Sequence, residues 1–310
     1  MRYLDQMEGA EFDRTHQLYL AAGRGKLAEC RTLIAAGTEI EFRIEDEDNE
    51  SLLHAAVDGG NLDIVRLLVA EHGRRTALGK AAGPLGVGEF DDFVNAPALT
   101  STPLQTAISN QTVRMVRLLL KMGASPFRTN GIDESPLQTA AEHGTPAILT
   151  AILLACDEEN SCWEDWVNDP EPHEQMTPLH LACRGGRTAN VRLLLSHNAD
   201  ADVVDYNGRT PLCVAAQGGF DPIVRLLLDA GADPNLAEDP SPLAAAVNRR
   251  HEAMVRRLLR AGAGADGWLW GETALHIAKR KRLPRIRELL VAAGATNSSR
   301  ARPRKLSPKK

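Results

Sequence analysis

Apolar residues recur along most of the chain in a two-part pattern that predicts pairs of short helices. One half reads Ile-Val-x-Leu-Leu-Leu, as in residues 223–228. Apolar positions three and four residues apart predict a helix with one buried face. The other half opens with Thr or Ser, then Pro and Leu, as at Thr177-Pro178-Leu179. A hydroxyl that caps a helix and a proline in its first turn mark a helix start. The pattern therefore predicts repeated helix–turn–helix units.

These helix starts return at a nearly constant spacing, which predicts a repeat architecture. Thr102 and Ser135 are 33 residues apart, as are Thr177 and Thr210. Eight copies begin, in chain order, at His16, Ser51, Thr102, Ser135, Thr177, Thr210, Ser241 and Thr273. No copy can bury its apolar faces alone, so we expect stability to arise from the stacking of neighbours.

The segment Thr177–Ala182 reads Thr-Pro-Leu-His-Leu-Ala and resembles the signature of the ankyrin-repeat family. The resemblance implies an all-α ankyrin-repeat solenoid of about eight helix-turn-helix units with short β-hairpin fingers between them. We assign the repeats to residues 15–296, the leader to 1–14 and a basic tail to 297–310. The same resemblance implies that the histidines at the fourth motif position, His54, His180 and His276, hydrogen-bond neighbouring repeats together.

The tenth position of most copies is glycine, which favours the left-handed turn that ends a first helix. Gln111, Arg250 and Arg282 occupy this position in three copies. We therefore expect those three turns to be strained or differently shaped.

Two insertions interrupt the period, near 74–92 and near 157–174. The first is rich in glycine, and the second holds eight acidic residues and no lysine or arginine. Both lie between a second helix and the finger that follows. Insertions of this kind map to loops on one side of a solenoid, often the side that binds a partner.

Large aromatic residues fall in the inter-repeat segments, where they suit partner contacts better than core packing. All four tryptophans lie there and none is expected in a helix. Tyr and Trp in projecting turns are typical binding anchors. The alternative is that these rings fold back over neighbouring loops. The candidate anchors are Trp163, Trp166, Trp268, Trp270, Phe127 and Tyr206, and Phe42 has a similar finger position.

Polar residues at variable first-helix positions, Arg184 and Gln217 above all, are expected to tune specificity on a concave side built from fingers and first helices. Arginine also recurs at the sixteenth position of six copies. That row is either a solvated face paired with nearby acids or a docking stripe for an acidic partner. Its members are Arg31, Arg66, Arg117, Arg192, Arg225 and Arg256.

Charge is unevenly distributed. The chain has a net charge of −5, but residues 279–310 hold 12 of the 36 basic residues and one of the 41 acidic ones. The tail 297–310 resembles an import signal, and its basic charge also allows nucleic-acid binding. A solubilising end is the plainer alternative. Five cysteines without a secretory signal favour reduced thiols, and hence a cytoplasmic or nuclear protein.

The sequence carries no catalytic motif of a hydrolase, a phosphate-binding loop or a metalloprotease. Cys156, Cys162 and His173 lie near one another, but their spacing matches no tight metal-ligand pair. The sequence therefore predicts no enzyme, no cofactor and no membrane association. It predicts a monomeric scaffold or adaptor that binds another protein through its concave face and fingers. The alternatives are a nuclear regulator with a nucleic-acid-binding or import-directing tail, and an enzyme with a site across the concave face.

Overall fold

The computed structural model describes residues 2–3, 9–43, 49–78, 93–159, 166–237 and 239–296. Most of the first insertion, residues 160–165 of the second and the whole basic tail lie outside these ranges. The chain divides into two compact units, residues 1–164 and 165–310. Within the described ranges, no helix has the length and apolar character needed to cross a bilayer.

In its described residues, the first unit has four pairs of helices and a short parallel strand pair. In it, β1 (Arg2–Tyr3) pairs with β2 (Phe42–Arg43). Its helices are α1 (Gly9–Gly23), α2 (Leu27–Ala35), α3 (Leu52–Asp58), α4 (Leu62–Ala77), α5 (Pro103–Ser109), α6 (Val113–Lys121), α7 (Pro136–Glu142) and α8 (Pro146–Glu159). The first helix begins at Gly9 rather than at His16, so residues 9–14 of the predicted leader are helical.

The second unit opens with a 3-10 turn, Trp166–Asn168, and continues with four more helix pairs. A two-stranded antiparallel hairpin, β3 (Trp268–Leu269) and β4 (Glu272–Thr273), precedes the last pair. Its helices are α9 (Pro178–Arg184), α10 (Thr188–Ser196), α11 (Pro211–Gly218), α12 (Asp221–Asp229), α13 (Pro242–Asn248), α14 (Glu252–Arg260), α15 (Ala274–Arg280) and α16 (Pro284–Ala292). The described ranges thus hold sixteen α-helices and few, short strands, which confirms the predicted fold class.

The predicted caps begin the first helices. The Thr177 hydroxyl lies 3.5 Å from the backbone N–H of His180 and accepts a hydrogen bond from it, while the Thr177 N–H donates to the His180 ring. Thr102 and Gln105 form the same reciprocal box, with the Thr102 N–H 2.8 Å from Gln105 Oε1. Such a box satisfies two backbone donors that a helix start would otherwise leave unpaired.

The capping residues also join successive repeats within each unit. His54 Nε2 lies 3.2 Å from the carbonyl oxygen of Ser101, and His180 Nε2 lies 2.9 Å from that of Arg209. Gln105 Nε2 makes the equivalent bond to the Glu134 carbonyl at 2.9 Å. The inter-repeat role implied for these histidines is therefore confirmed at His54 and His180.

Left-handed turns follow most of the first helices, including those that lack glycine, although Gly144 does not adopt this conformation. Gln111, Arg250 and Arg282 have φ values of 54°, 63° and 54°, close to the 68° of Gly25. These turns therefore keep their shape and carry the strain of a side chain in the left-handed region, roughly 1–2 kcal/mol each.

Asparagine and aspartate side chains tie the loops between repeats to one another. In the second unit, Asp202 Oδ1 accepts from the N–H of Asp233 at 2.9 Å, and Asn235 Oδ1 accepts from the N–H of Gly264 at 2.7 Å. Each of these loops is therefore bonded to the next one along the chain.

Candidate partner-binding surface

A groove of about 220 Å³ lies in the second unit between the first helices and the last hairpin. Ala245 and Leu269 are buried and form its apolar base. The remaining lining residues are Gln217, Asn248, Arg249, Trp270 and Lys281. Gln217 and Trp270, two residues expected from the sequence to contact a partner, therefore line the same concave feature, which we call the Trp270 groove.

Trp270 occupies a backbone conformation that a tryptophan rarely adopts. It forms the tip of the β3–β4 hairpin together with Gly271, and their φ values are 52° and 84°. Two-residue turns with both positions left-handed favour Asn-Gly, because a bulky side chain is strained there. The Asp239 carboxylate holds the turn by accepting from the N–H groups of Trp270 at 2.6 Å and Gly271 at 3.1 Å. The strained turn presents a ring that is 71% exposed.

Among the described residues, no carboxylate forms an ion pair with Arg249 or Lys281, the two cations that line the groove. Lys281 Nζ donates to the Asn248 carbonyl at 2.5 Å, and Arg249 Nε donates to the Gln217 carbonyl. Desolvation lowers the pKa of Lys281, and the charges of Arg250, Arg280 and Arg249 lower it further, against the opposing effect of Glu272. The local potential is therefore positive.

Exposed apolar side chains lie at the tips of three successive loops in this unit. Tyr206 is 72% exposed and Trp270 is 71% exposed, while Val204 and Leu236 are each 46% exposed. We call these four residues the finger ridge. Tyr206 is tied to the preceding inter-repeat loop, since its N–H donates to the Glu174 carbonyl at 2.8 Å. Apolar side chains grouped in this way mark interaction surfaces more often than scattered ones do.

Arg184 lies at the end of α9 within a cluster of alternating charges. Its Nη1 is 3.0 Å from Glu174 Oε2, and Glu174 is also 3.9 Å from Arg209. Asp205 in turn accepts from Arg209 Nε at 2.6 Å. The charges in this part of the surface are therefore paired with one another, whereas the cations that line the Trp270 groove are not paired with carboxylates of the described residues.

The other tryptophans are placed differently. Trp166 is half-buried, starts the 3-10 turn, and its ring centre lies 6.4 Å from that of His197. The expectation that no tryptophan lies in a helix is therefore wrong for Trp166. Trp268 is half-buried in β3. Trp163 lies outside the described residues. Neither Trp166 nor Trp268 lines the Trp270 groove.

Aromatic finger residues of the first unit are less exposed. Phe127 is half-buried. Phe42 is fully buried, so its expected role as a projecting contact is wrong. The reason is that α4 extends along this segment: Arg75 donates to the Thr38 carbonyl at 3.0 Å, and His72 lies 2.9 Å from Glu41. The first insertion thus begins with extra helix, which covers the preceding finger.

The arginine row on the second helices includes several local ion pairs. Arg66 lies 2.8 Å from Asp63, and Arg256 lies 2.5 Å from Glu252. Arg225 is 4.0 Å from Asp221. These pairs, each three or four residues apart on one helix, support the interpretation of a solvated row.

The thiols and imidazoles have structural surroundings. Cys183 and Cys213 are fully buried, and burial raises the pKa of both thiols well above the usual range. Cys162 lies outside the described residues. Within the described ranges, no three His, Cys, Asp or Glu side chains are grouped in a way that would hold a metal ion.

Sequence reasoning missed Lys281 as a site residue. The available signal was register, because Lys281 and Arg249 both stand at the ninth position of consecutive copies. Residues at the same position of stacked repeats lie side by side, so the pair forms one wall of the groove.

Comparisons with known proteins agree with this architecture. A family model of three ankyrin-repeat copies matches residues 152–238, and a single ankyrin-repeat model matches residues 48–78 and 101–131. The B-cell lymphoma 3 protein homolog of Mus musculus is 34% identical over 252 residues, which are 81% of this chain and 45% of that protein. The putative palmitoyltransferase ZDHHC13 of Danio rerio is 31% identical, over 59% of this chain and 30% of that protein. The chain thus spans less than half the length of these curated relatives.

Among solved structures, the ankyrin-repeat domain of Bcl-3, a member of the IkappaB protein family, is similar with a TM-score of 0.59. It is 31% identical in sequence, and the similarity covers 79% of this chain and all of that domain. The repeated caps, the stacked helix pairs and these similarities lead to one conclusion. This chain belongs to the ankyrin-repeat family.

Proposed function

We propose that this chain is a non-enzymatic scaffold that binds another protein through the finger ridge and the Trp270 groove. The observation that carries the proposal is Trp270, an exposed aromatic ring in a strained left-handed turn beside a concave surface. Tryptophan does not increase the folding stability of a turn that favours Asn-Gly. Strained positions of this kind cluster at functional sites, and tryptophan is the residue type most enriched among binding hot spots.

The surroundings of the reactive side chains support a non-enzymatic role. His54 and His180 use both ring nitrogens in hydrogen bonds that cap helices and join repeats. The buried thiols of Cys183 and Cys213 have raised pKa values, so they stay protonated and are poor nucleophiles at neutral pH.

The proposal is tested by affinity capture from a lysate with the wild-type chain and a ridge variant, Tyr206→Ser, Leu236→Ser and Trp270→Asn. A matched control carries Leu154→Ser and Val291→Ser, two exposed apolar residues on second helices. We expect the ridge variant to lose specific partners that the control retains. A folded ridge variant that retains every partner would refute the proposal.

A second candidate is a nuclear regulator whose tail contacts nucleic acid or the import machinery. It is favoured by the basic composition of residues 297–310 and by similarity to the B-cell lymphoma 3 homolog. Cytoplasmic and nuclear localisation both remain proposals. Deleting residues 297–310 separates these alternatives. Loss of nuclear localisation in the deletion variant would support the regulator, and so would loss of a salt-sensitive binding to nucleic acid. Unchanged localisation together with no nucleic-acid binding at low salt counts against it.

A further inference from the structure

We propose that the Trp270 groove binds an acidic peptide segment of the partner, with a carboxylate between Arg249 and Lys281 and an apolar side chain against Trp270. This inference rests on the proposed function and specifies the chemistry of what is bound. It concerns one groove in the second unit, whose residues come from three successive repeats.

Positive charge is concentrated around the groove. Four cations lie in or beside the groove: Arg249, Arg250, Arg280 and Lys281. Glu272 is the acid that acts on Lys281, and it is already paired with Arg280 at 2.7 Å. The Asp239 carboxylate is occupied by the two N–H groups of the hairpin tip. The described residues around the groove therefore leave positive charge that a partner carboxylate would neutralise.

The two cations that line the groove have hydrogen-bond donors to spare. Each of the two lining cations donates to a backbone carbonyl, Lys281 to Asn248 and Arg249 to Gln217. These bonds fix the stems of both side chains at the groove wall. A guanidinium has five N–H donors and an ammonium group has three, so each retains donors for a carboxylate oxygen. Hydrogen bonds between ionised groups are about twice as strong as neutral ones.

The shape of the groove suits one or two side chains of a peptide. The base of the groove is apolar, with Ala245 and Leu269 buried, and the ring of Trp270 forms an exposed edge. A volume of about 220 Å³ admits one or two side chains. The adjoining loops present two aliphatic side chains, Val204 and Leu236, and one aromatic ring, Tyr206. Single-stranded nucleic acid favours a track of several aromatic platforms, so this mixed surface fits a peptide better.

The test selects ligands from a random dodecapeptide phage library with the full chain as bait. We expect the enriched peptides to carry Asp or Glu beside a large apolar residue. An enriched peptide, fluorescein-labelled and measured by anisotropy, should bind Trp270→Asn at least about tenfold more weakly than wild type, the loss typical of a hot-spot residue. The double variant Arg249→Gln with Lys281→Gln should lose about tenfold, and its residual binding should depend less on salt.

Controls separate the groove from general electrostatics and from folding defects. The outer-face double variant Arg192→Gln with Arg225→Gln removes the same charge from exposed positions and should bind as wild type. Asparagine suits the left-handed position at 270, so Trp270→Asn should fold at least as stably as wild type.

Three outcomes would overturn the inference. The library could enrich neutral or basic peptides, or the groove variants could bind the enriched peptide as tightly as wild type. A single-stranded oligonucleotide could also displace the peptide by binding to the same groove residues. If Arg249→Gln with Lys281→Gln retains a captured partner that the ridge variant loses, the acidic-peptide inference fails while the proposed function stands. If the ridge variant also retains it, both fail.

Discussion

Replacing His54 by glutamine should make the first unit less sensitive to acid while leaving its stability at neutral pH nearly unchanged. His54 accepts a hydrogen bond from the Ser51 N–H at Nδ1 and lies 3.2 Å from the Ser101 carbonyl at Nε2. Gln105, one repeat later, makes the same two kinds of bond with its amide oxygen and nitrogen. The chain therefore already shows that glutamine fits this position, and glutamine does not titrate.

The magnitude follows from the pKa of the imidazole. Burial is the main cause that lowers it to about 4, with the charge of Arg43 adding to the effect and the Ser101 carbonyl opposing it. An unfolded histidine has a pKa of about 6.5. Above that pH both states are neutral and the stability is complete. As the pH falls from about 6.5 to about 4, the unfolded chain binds the proton and the folded one does not. At about 1.4 kcal/mol per pH unit, roughly 3 kcal/mol is lost.

The assay is urea unfolding followed by circular dichroism at a series of pH values between about 7.5 and 4, compared for wild type and His54→Gln. We expect similar free energies of unfolding at the upper end, within about 1 kcal/mol, and a variant more stable by roughly 3 kcal/mol at the lower end. His143→Gln makes the same substitution at an exposed imidazole and should follow wild type. Parallel curves for wild type and His54→Gln would refute the reasoning.

Three further predictions concern turns and thiols. Arg250→Gly should raise the free energy of unfolding by about 1 kcal/mol, because it relieves a left-handed φ of 63°; an unchanged midpoint in urea would contradict this. Gly60→Ala should lower the free energy of unfolding by about 1 kcal/mol, because the φ of 70° strains any side chain and no atom lies within 4 Å of the added carbon. Equal stability of the variant and wild type would refute this prediction. Cys183 and Cys213 should resist iodoacetamide in the folded protein and react after unfolding, which peptide mass mapping can follow; rapid native labelling of either would count against their burial.

The repeat architecture was predictable because its determinants are local. A cap such as Thr177, a proline in the first turn and an apolar stripe each act within one turn of helix, so the spacing of the copies reveals the stacking. The turn at Arg250 could be located from register, since five of the eight copies place glycine at the same position. The inter-repeat bonds of His54 and His180 followed from the family resemblance.

The candidate surface was predictable only in part, because exposure depends on what an irregular segment contacts. Phe42 and Tyr206 have similar finger positions, yet the extended α4 covers the first and nothing comparable covers the second. Trp270 was expected to be a contact residue, but its strained turn depends on Asp239, which lies 31 residues earlier in the chain. The groove itself arises from side chains of three repeats and has no signature in any one of them.

The most direct test of the central claim is photocrosslinking from the finger ridge. A photoreactive phenylalanine analogue is placed at position 206 or 270, and in matched controls at position 154 or 291. We expect a partner protein to crosslink from positions 206 and 270 and not from the second-helix positions. Crosslinking of that partner from 154 or 291, with none from the ridge, would contradict it.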